Sequence, residues 1–357
     1  MMHSRFHAAT ESTRWRGFVA GWLGGVLALG LAAVGVVAVL DPYGLRAAPG
    51  RAPGPLMDLN QRFMYPQVVR THRYDAAVFG TSTARLLDPS DLDRAFDARF
   101  ANLAMNAATP YEQVQLATLF LRETTARAVL LALDATWCDA DADARRLTFR
   151  PFPPWLYRPG TPGGTLRQVN WQSLGVAARV ALNGLGLAPA RIRGDGFSVF
   201  TPPEDRYDAA RASAHIRAGL TALDEPDPGP ATAAEDAPGD PMPALAWLDD
   251  LLARTPASAT KLVAFMPVHA VLQGRPGTVR GAREAACKVR VAAIGRARGA
   301  VVVDFRIPSP VTTRDANYWD ALHYRLPIAA RIVAGLRAAQ DDGRDDPEGV
   351  YRVLTHP

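Results

Sequence analysis

Residues 17–40 run for 24 positions without a charged side chain, and few features restrict a fold more. As a helix the run measures roughly 36 Å against a hydrocarbon core of about 30 Å, long enough to cross a bilayer with some tilt. Arg5, Arg14 and Arg16 precede it and Asp41 and Pro42 follow. Positive charge stays on the cytoplasmic side of a span, which puts residues 1–16 in the cytoplasm and everything after Leu40 outside. A cleaved signal peptide would have an apolar region of about 7 to 15 residues ending at an Ala-x-Ala-like site; the run through Val36-Val37-Ala38-Val39-Leu40 fits neither. The sequence therefore predicts a single-pass protein of the inner, cytoplasmic membrane, anchored by residues 17–40, with its body in the periplasm.

Roughly 300 residues follow the anchor, enough for one α/β domain with an insertion. Residues 41–59 are rich in Pro, Gly and Arg and read as a linker, and Asn60 to Arg73 as a short element packed on the domain. Apolar runs at Ala76–Phe79, Phe100–Met105, Ala128–Leu133, Leu262–Met266 and Val301–Phe305 read as buried strands. Helical patterns cover Tyr111–Thr124, Pro243–Leu252, Val279–Arg298 and Ile328–Ala339. Alternating strands and helices predict an α/β fold with a parallel sheet covered on both faces, spanning residues 60–340, with 341–357 as a C-terminal tail. About 100 residues separate the third strand from the fourth, far beyond the usual 2 to 6, so residues 139–241 are an insertion. Its first part carries Phe149-Arg150-Pro151-Phe152-Pro153-Pro154-Trp155 and Trp171, suited to a lid or acceptor-binding wall; a helical hairpin covering the sheet edge is the other reading. Asp224 to Pro241, rich in Pro, Ala, Gly and acid, reads as a disordered surface loop.

The net charge of +5 is nearly all arginine, with Lys261 and Lys288 the only lysines. No stretch joins a dense basic patch to interleaved aromatics, so no nucleic-acid partner is expected. The scattered histidines give no metal-ligand spacing, Gly194-Asp195-Gly196 lacks the strand and helix of a phosphate loop, and no cofactor is expected. Cys138 and Cys287 could bond outside the membrane. Two buried thiols are the expected state, because cysteine is a commonly buried residue and these two lie far apart in the chain.

Gly80-Thr81-Ser82-Thr83 follows the first strand directly, and Asp320-Ala321-Leu322-His323 lies near the far end. A Ser on the sharp turn leaving a parallel strand exposes its hydroxyl at the carboxyl edge of the sheet. Residues three apart on a turn share a face, so Asp320 can hold His323 in one tautomer and His323 can take the proton of Ser82. The bland alternative makes Ser82 a helix cap and Asp320–His323 a surface pair. The chain order Ser, Asp, His with the last two three apart resembles the SGNH (GDSL-like) hydrolase superfamily over most of residues 74–340. The resemblance implies a three-layer flavodoxin-like sheet and an acyl-enzyme on Ser82, with His323 as base then acid and Asp320 orienting it.

In that superfamily the oxyanion is held by the amide of the Ser, a Gly amide in a second block and an Asn side chain in a third. The second block is matched by Asn102-Leu103-Ala104-Met105-Asn106-Ala107, where Ala107 stands in the Gly position; Ala keeps the N–H, but a positive φ there costs on the order of 1 kcal/mol. The third block is absent, the third strand ending Leu133-Asp134-Ala135-Thr136-Trp137. Asn106 or Asn102 is the expected replacement donor beside Ser82 and Ala107. Arg85, Asp134 and His269 fall on the same edge and are candidate substrate-binding groups; their bland readings are a solvated Arg, a turn cap and a core His. Together with the anchor, this pattern resembles the membrane-tethered SGNH proteins of alginate O-acetylation and D-alanyl-teichoic acid transfer. It implies transfer or removal of an acyl group, acetyl in the first instance, on an envelope polysaccharide, with a polytopic membrane acyltransferase as a partner. The other function class is a catalytically silent envelope protein that binds polysaccharide or docks on such an acyltransferase. The charge asymmetry predicts that a reporter fused after Leu40 is active only outside the cytoplasm; activity inside would contradict the orientation.

Overall fold

The computed structural model describes residues 4–46, 53–158, 164–221 and 241–357. All of the expected Asp224–Pro241 loop except Pro241 lies outside the described residues, as do residues 47–52 of the expected linker. The chain forms two compact units, one of residues 1–57 and 159–191, the other of residues 58–158 and 192–357. The insertion is thus divided between them.

In the first unit the helix Ser4–Leu40 includes, from Arg14 to Leu40, a stretch long and apolar enough to cross a membrane. The helix Trp171–Gly184 packs against it. Asn170 caps that second helix, its side chain accepting the Ser173 N–H at 2.9 Å, and the Tyr43 and Ser173 hydroxyls are 3.0 Å apart. The described ends of the expected linker are held: Tyr43 is fully buried, and the Leu56 carbonyl accepts the Arg191 N–H at 2.9 Å.

The second unit is built on a six-stranded sheet. Its strands are β1 (Ala76–Phe79), β2 (Phe100–Asn102), β3 (Ala128–Leu133), β4 (Thr260–Phe265), β5 (Val301–Asp304) and β6 (Arg352–Thr355). The order is β2-β1-β3-β4-β5-β6, with parallel pairing through β5 and an antiparallel β6. The central strands are buried along their length, as continuous apolar runs between two helical layers must be. Alternation along β5 makes the layers visible. Val301 and Val303 share a core cluster with Ile328, Ile332 and Leu336 of the helix Leu326–Asp342. On the opposite face Asp304 meets Lys288 of the helix Val279–Arg298 at 2.9 Å. Gly295 of that helix sits so close to the sheet that a Cβ would lie 2.3 Å from Val302 Cγ2, leaving room for glycine alone.

Two expectations are corrected. The sheet is mixed, because residues 352–355 of the expected tail form β6, pairing Val303 with Val353 and Asp304 with Arg352. Val350 and Tyr351 bury against the helix Leu326–Asp342, which carries the short strand back along β5 and closes an open edge; four residues with one buried side chain give too weak a period to read from sequence. Cys138 and Cys287 are bonded, their Cα atoms 5.7 Å apart. Their separation of 149 residues says nothing about distance once β3 and β4 lie side by side and the helix after β4 packs on the turn Ala135–Cys138.

Candidate active site

The carboxyl ends of β1, β2 and β3 meet the turn before the last long helix, and all lie within the second unit. Gly80 lets the chain leave β1 against β3: a Cβ there would stand 2.9 Å from Ala132 Cβ and 3.0 Å from its carbonyl oxygen. Ser82 follows at the start of the short turn Ser82–Ala84. The threonines on either side of it both donate to Asp134 at the end of β3, Thr81 to Oδ2 and Thr83 to Oδ1, the latter at 2.8 Å. Ser82 is thereby fixed from both neighbours, and its hydroxyl remains free for chemistry.

The second motif lies in a loop closed by a bridge between Tyr318 and Tyr324 and by the Trp319 N–H donating to the His323 carbonyl at 2.8 Å. Asp320 Oδ1 accepts the amides of Leu322 at 2.7 Å and His323 at 2.9 Å. The carboxylate also receives His323 Nδ1, at 2.8 Å from Oδ2. The other ring nitrogen, Nε2, is 2.9 Å from Ser82 Oγ. Burial taken alone raises the Asp320 carboxyl, but the hydrogen bonds from His323 and the two amides outweigh it and hold the group below the ordinary carboxylate range. An ionised Asp320 keeps the Nδ1 proton in place and leaves Nε2 as the acceptor facing Ser82. The buried Tyr324 hydroxyl donates to the Thr83 carbonyl, fastening the His323 loop to the Ser82 turn one residue from each.

Ala107 has φ +49, the left-handed region that a Gly would occupy without cost. Among the described residues neither the Ser82 nor the Ala107 amide N–H has a hydrogen-bond partner, and both residues line the cavity that holds the Ser82 hydroxyl. Two unpaired amides beside a nucleophile are what an oxyanion needs. The expected Asn donors are corrected. Asn102 is buried, its side-chain amide donating to the carbonyls of Ala84 at 2.9 Å and Leu87 at 2.8 Å. Asn106 turns its side-chain carbonyl to Arg85 Nη1 at 2.7 Å and is not among the cavity-lining residues.

Of the three substrate-binding candidates, Asp134 lines the cavity, and Arg85 and His269 are not among its lining residues. Arg85 is 3% exposed and lies over the Phe200 ring at 4.7 Å, while Phe200 meets the His323 ring edge-on at 5.1 Å. Burial lowers the Arg85 pKa and the adjacent Tyr65 partly restores it. Arg85 supports both the Ala107 turn and the face of the base, and nothing in the sequence distinguished this buried Arg from a solvated one. Asp134 spends both oxygens on Thr81 and Thr83, with Arg306 Nη2 3.6 Å away. His269 is buried against Tyr318, its Nε2 3.2 Å from Asp315 Oδ1 in ion-pair range but without hydrogen-bond geometry. Burial lowers its pKa, opposed by Asp315. Its amide donates to the Ala321 carbonyl at 2.9 Å, so the residue braces the base loop through its backbone.

Sequence reasoning delimited the insertion but gave no helix to residues 209–221 and no role to His215. The helix Ala209–Thr221 is held over this edge by the Ser213 hydroxyl donating to Asp315, and just before it Glu204 pairs with Arg325 at 2.6 Å. This helix brings His215 to the cavity wall. No local signal marks such a residue, since its neighbours at the cavity come from positions more than fifty residues away in the chain.

No family model matches the chain, and no curated protein matches it. The geometry of the site and the chain order of its residues carry the functional reading. Replacing Arg85 by Met is expected to cost about 1–3 kcal/mol of stability, since it strips the donor from Asn106 Oδ1. Denaturant unfolding with unchanged stability would contradict the role given to Arg85.

Proposed function

We propose that this chain is an SGNH-like serine acyltransferase or esterase, carried on the extracytoplasmic face of the inner membrane by its N-terminal helix and acting on acyl groups of a cell-envelope polysaccharide. The observation that carries the reading is the continuous line Asp320, His323 Nδ1, His323 Nε2, Ser82 Oγ, with contacts of 2.8 and 2.9 Å. It is supported by the strand order 2-1-3-4-5, the order of flavodoxin-like sheets, which place ligands outside the carboxyl ends of their strands. The chain order of the three residues and the apolar N-terminal helix agree with the same reading.

The residues divide the reaction between them. Ser82 Oγ attacks the acyl carbon while its proton passes to His323 Nε2, and the oxyanion faces the free amides of Ser82 and Ala107. Collapse breaks the bond to the leaving oxygen, which takes the proton from Nε2. Water or an acceptor hydroxyl then gives its proton to His323, attacks the acyl-enzyme and returns Ser82. Hydrolysis and transfer share every step but the last attacker, so the polysaccharide acceptor and a polytopic acyltransferase partner belong to the proposal through the envelope location alone. Asp320 stays ionised throughout and stabilises the imidazolium.

Ser82→Ala should lower turnover of an activated ester by about 10⁴-fold or more, and Asp320→Asn by a comparable factor, because members of a triad act as a unit. Steady-state kinetics on the two variants decide it. Full activity in Ser82→Ala would make Ser82 structural and place the nucleophile elsewhere, whereas no turnover by the unsubstituted chain would leave the silent binding protein as the better account.

A further inference from the structure

We propose that the acyl group this site takes is an apolar chain of several carbons, larger than acetyl. The proposal rests on Ser82 forming an acyl-enzyme and names the substrate class of that site. The cavity at Ser82 has a volume of about 650 Å³, within the roughly 300–1,000 Å³ of pockets that enclose drug-sized ligands. A two-carbon acyl group would leave most of it to water.

The chemistry of the walls points the same way. Val268, Leu272 and Ala321 form a small buried apolar cluster of their own, and all three line the cavity. Leu322, between the two residues of the base pair, is 46% exposed and also lines it. Ala107 and Ala135 leave room on other sides.

Three charged groups at the wall are partly engaged within the chain. Arg306 donates to the Met266 carbonyl at 3.2 Å and the Leu133 carbonyl at 3.4 Å. Arg280 donates to the Leu272 carbonyl, and Asp134 is taken up by Thr81 and Thr83. Thr136 and His215 line the cavity as well and leave polar groups for the alcohol side of the ester. A hydroxyl acceptor needs only the approach to His323 Nε2.

The test uses the full chain in lipid nanodiscs and p-nitrophenyl acetate, butyrate, hexanoate and octanoate, which share one leaving group. Burial of each methylene is expected to raise kcat/KM roughly two- to fourfold until the cavity is filled. Ala135→Trp places bulk in the cavity from an exposed turn position, and Leu322→Ser removes apolar wall. Each should lower the octanoate-to-acetate ratio, the first by about tenfold or more. A series that is flat or falls from acetate, or ratios unchanged in both variants, overturns the proposal. So does a rise seen only when the alcohol of an acetate ester is lengthened, since the apolar wall would then serve the leaving group. Absence of Ser82-dependent turnover from every ester overturns the acyl-enzyme reading itself and this proposal with it, an outcome distinct from a flat series.

Discussion

The carboxylate of Asp134 holds the site together. It sits where β3 ends, and by accepting from the hydroxyls of Thr81 and Thr83 it fixes the two residues that flank Ser82. Without it the turn after β1 would be held only through its backbone carbonyls, by Met105 on Gly80, Tyr324 on Thr83 and Asn102 on Ala84, and the side chains on either side of Ser82 would be loose. Arg306 lies 3.6 Å from the same carboxylate and is itself tied to the ends of β3 and β4. One charge therefore links three neighbouring strand ends. The arrangement is costly to build and costly to break, because removing one partner would leave the others buried and unpaired.

From that fixed point the rest of the site is reached by short connections. Tyr324 joins the base loop to the Thr83 carbonyl, His269 supports the same loop through its backbone, and Arg85 joins Asn106 to the aromatic ring that backs His323. These groups touch no reacting atom. They hold the atoms that do, the condition under which a hydrogen-bonded Ser-His-Asp line can be chemically useful. The insertion contributes the far wall through Ser213 and Glu204, which pair with residues around the base loop. The anchor helix and the helix Trp171–Gly184 form a unit of their own.

Much of this was legible in the sequence where signals were local. The helix Val279–Arg298 has the predicted bounds, and strands β1 and β3 match their apolar runs residue for residue. Strand β2 stops at Asn102, short of Met105, although the amides of Leu103 and Met105 still donate to Val78 and Gly80 beside it. Ser82, Asp320 and His323 could be paired because a strand-to-turn Ser and a spaced Asp-x-x-His each carry their own geometry. The contacts of Arg85, Asp134 and His269 were not legible, since a polar residue near a strand end looks the same in sequence whether it faces a cavity or a buried partner. Strand β6 and the Cys138–Cys287 bond depend on contacts between distant segments, which no local period encodes.

The central claim is that Ser82 is a nucleophile activated by His323. The most direct measurement is peptide mass spectrometry of the full chain after exposure to a fluorophosphonate, which reacts only with an activated serine hydroxyl. The account predicts one adduct, on the peptide containing Ser82, formed in the intact protein and suppressed in His323→Ala. No adduct, or an adduct on another serine that persists in Ser82→Ala, would contradict it.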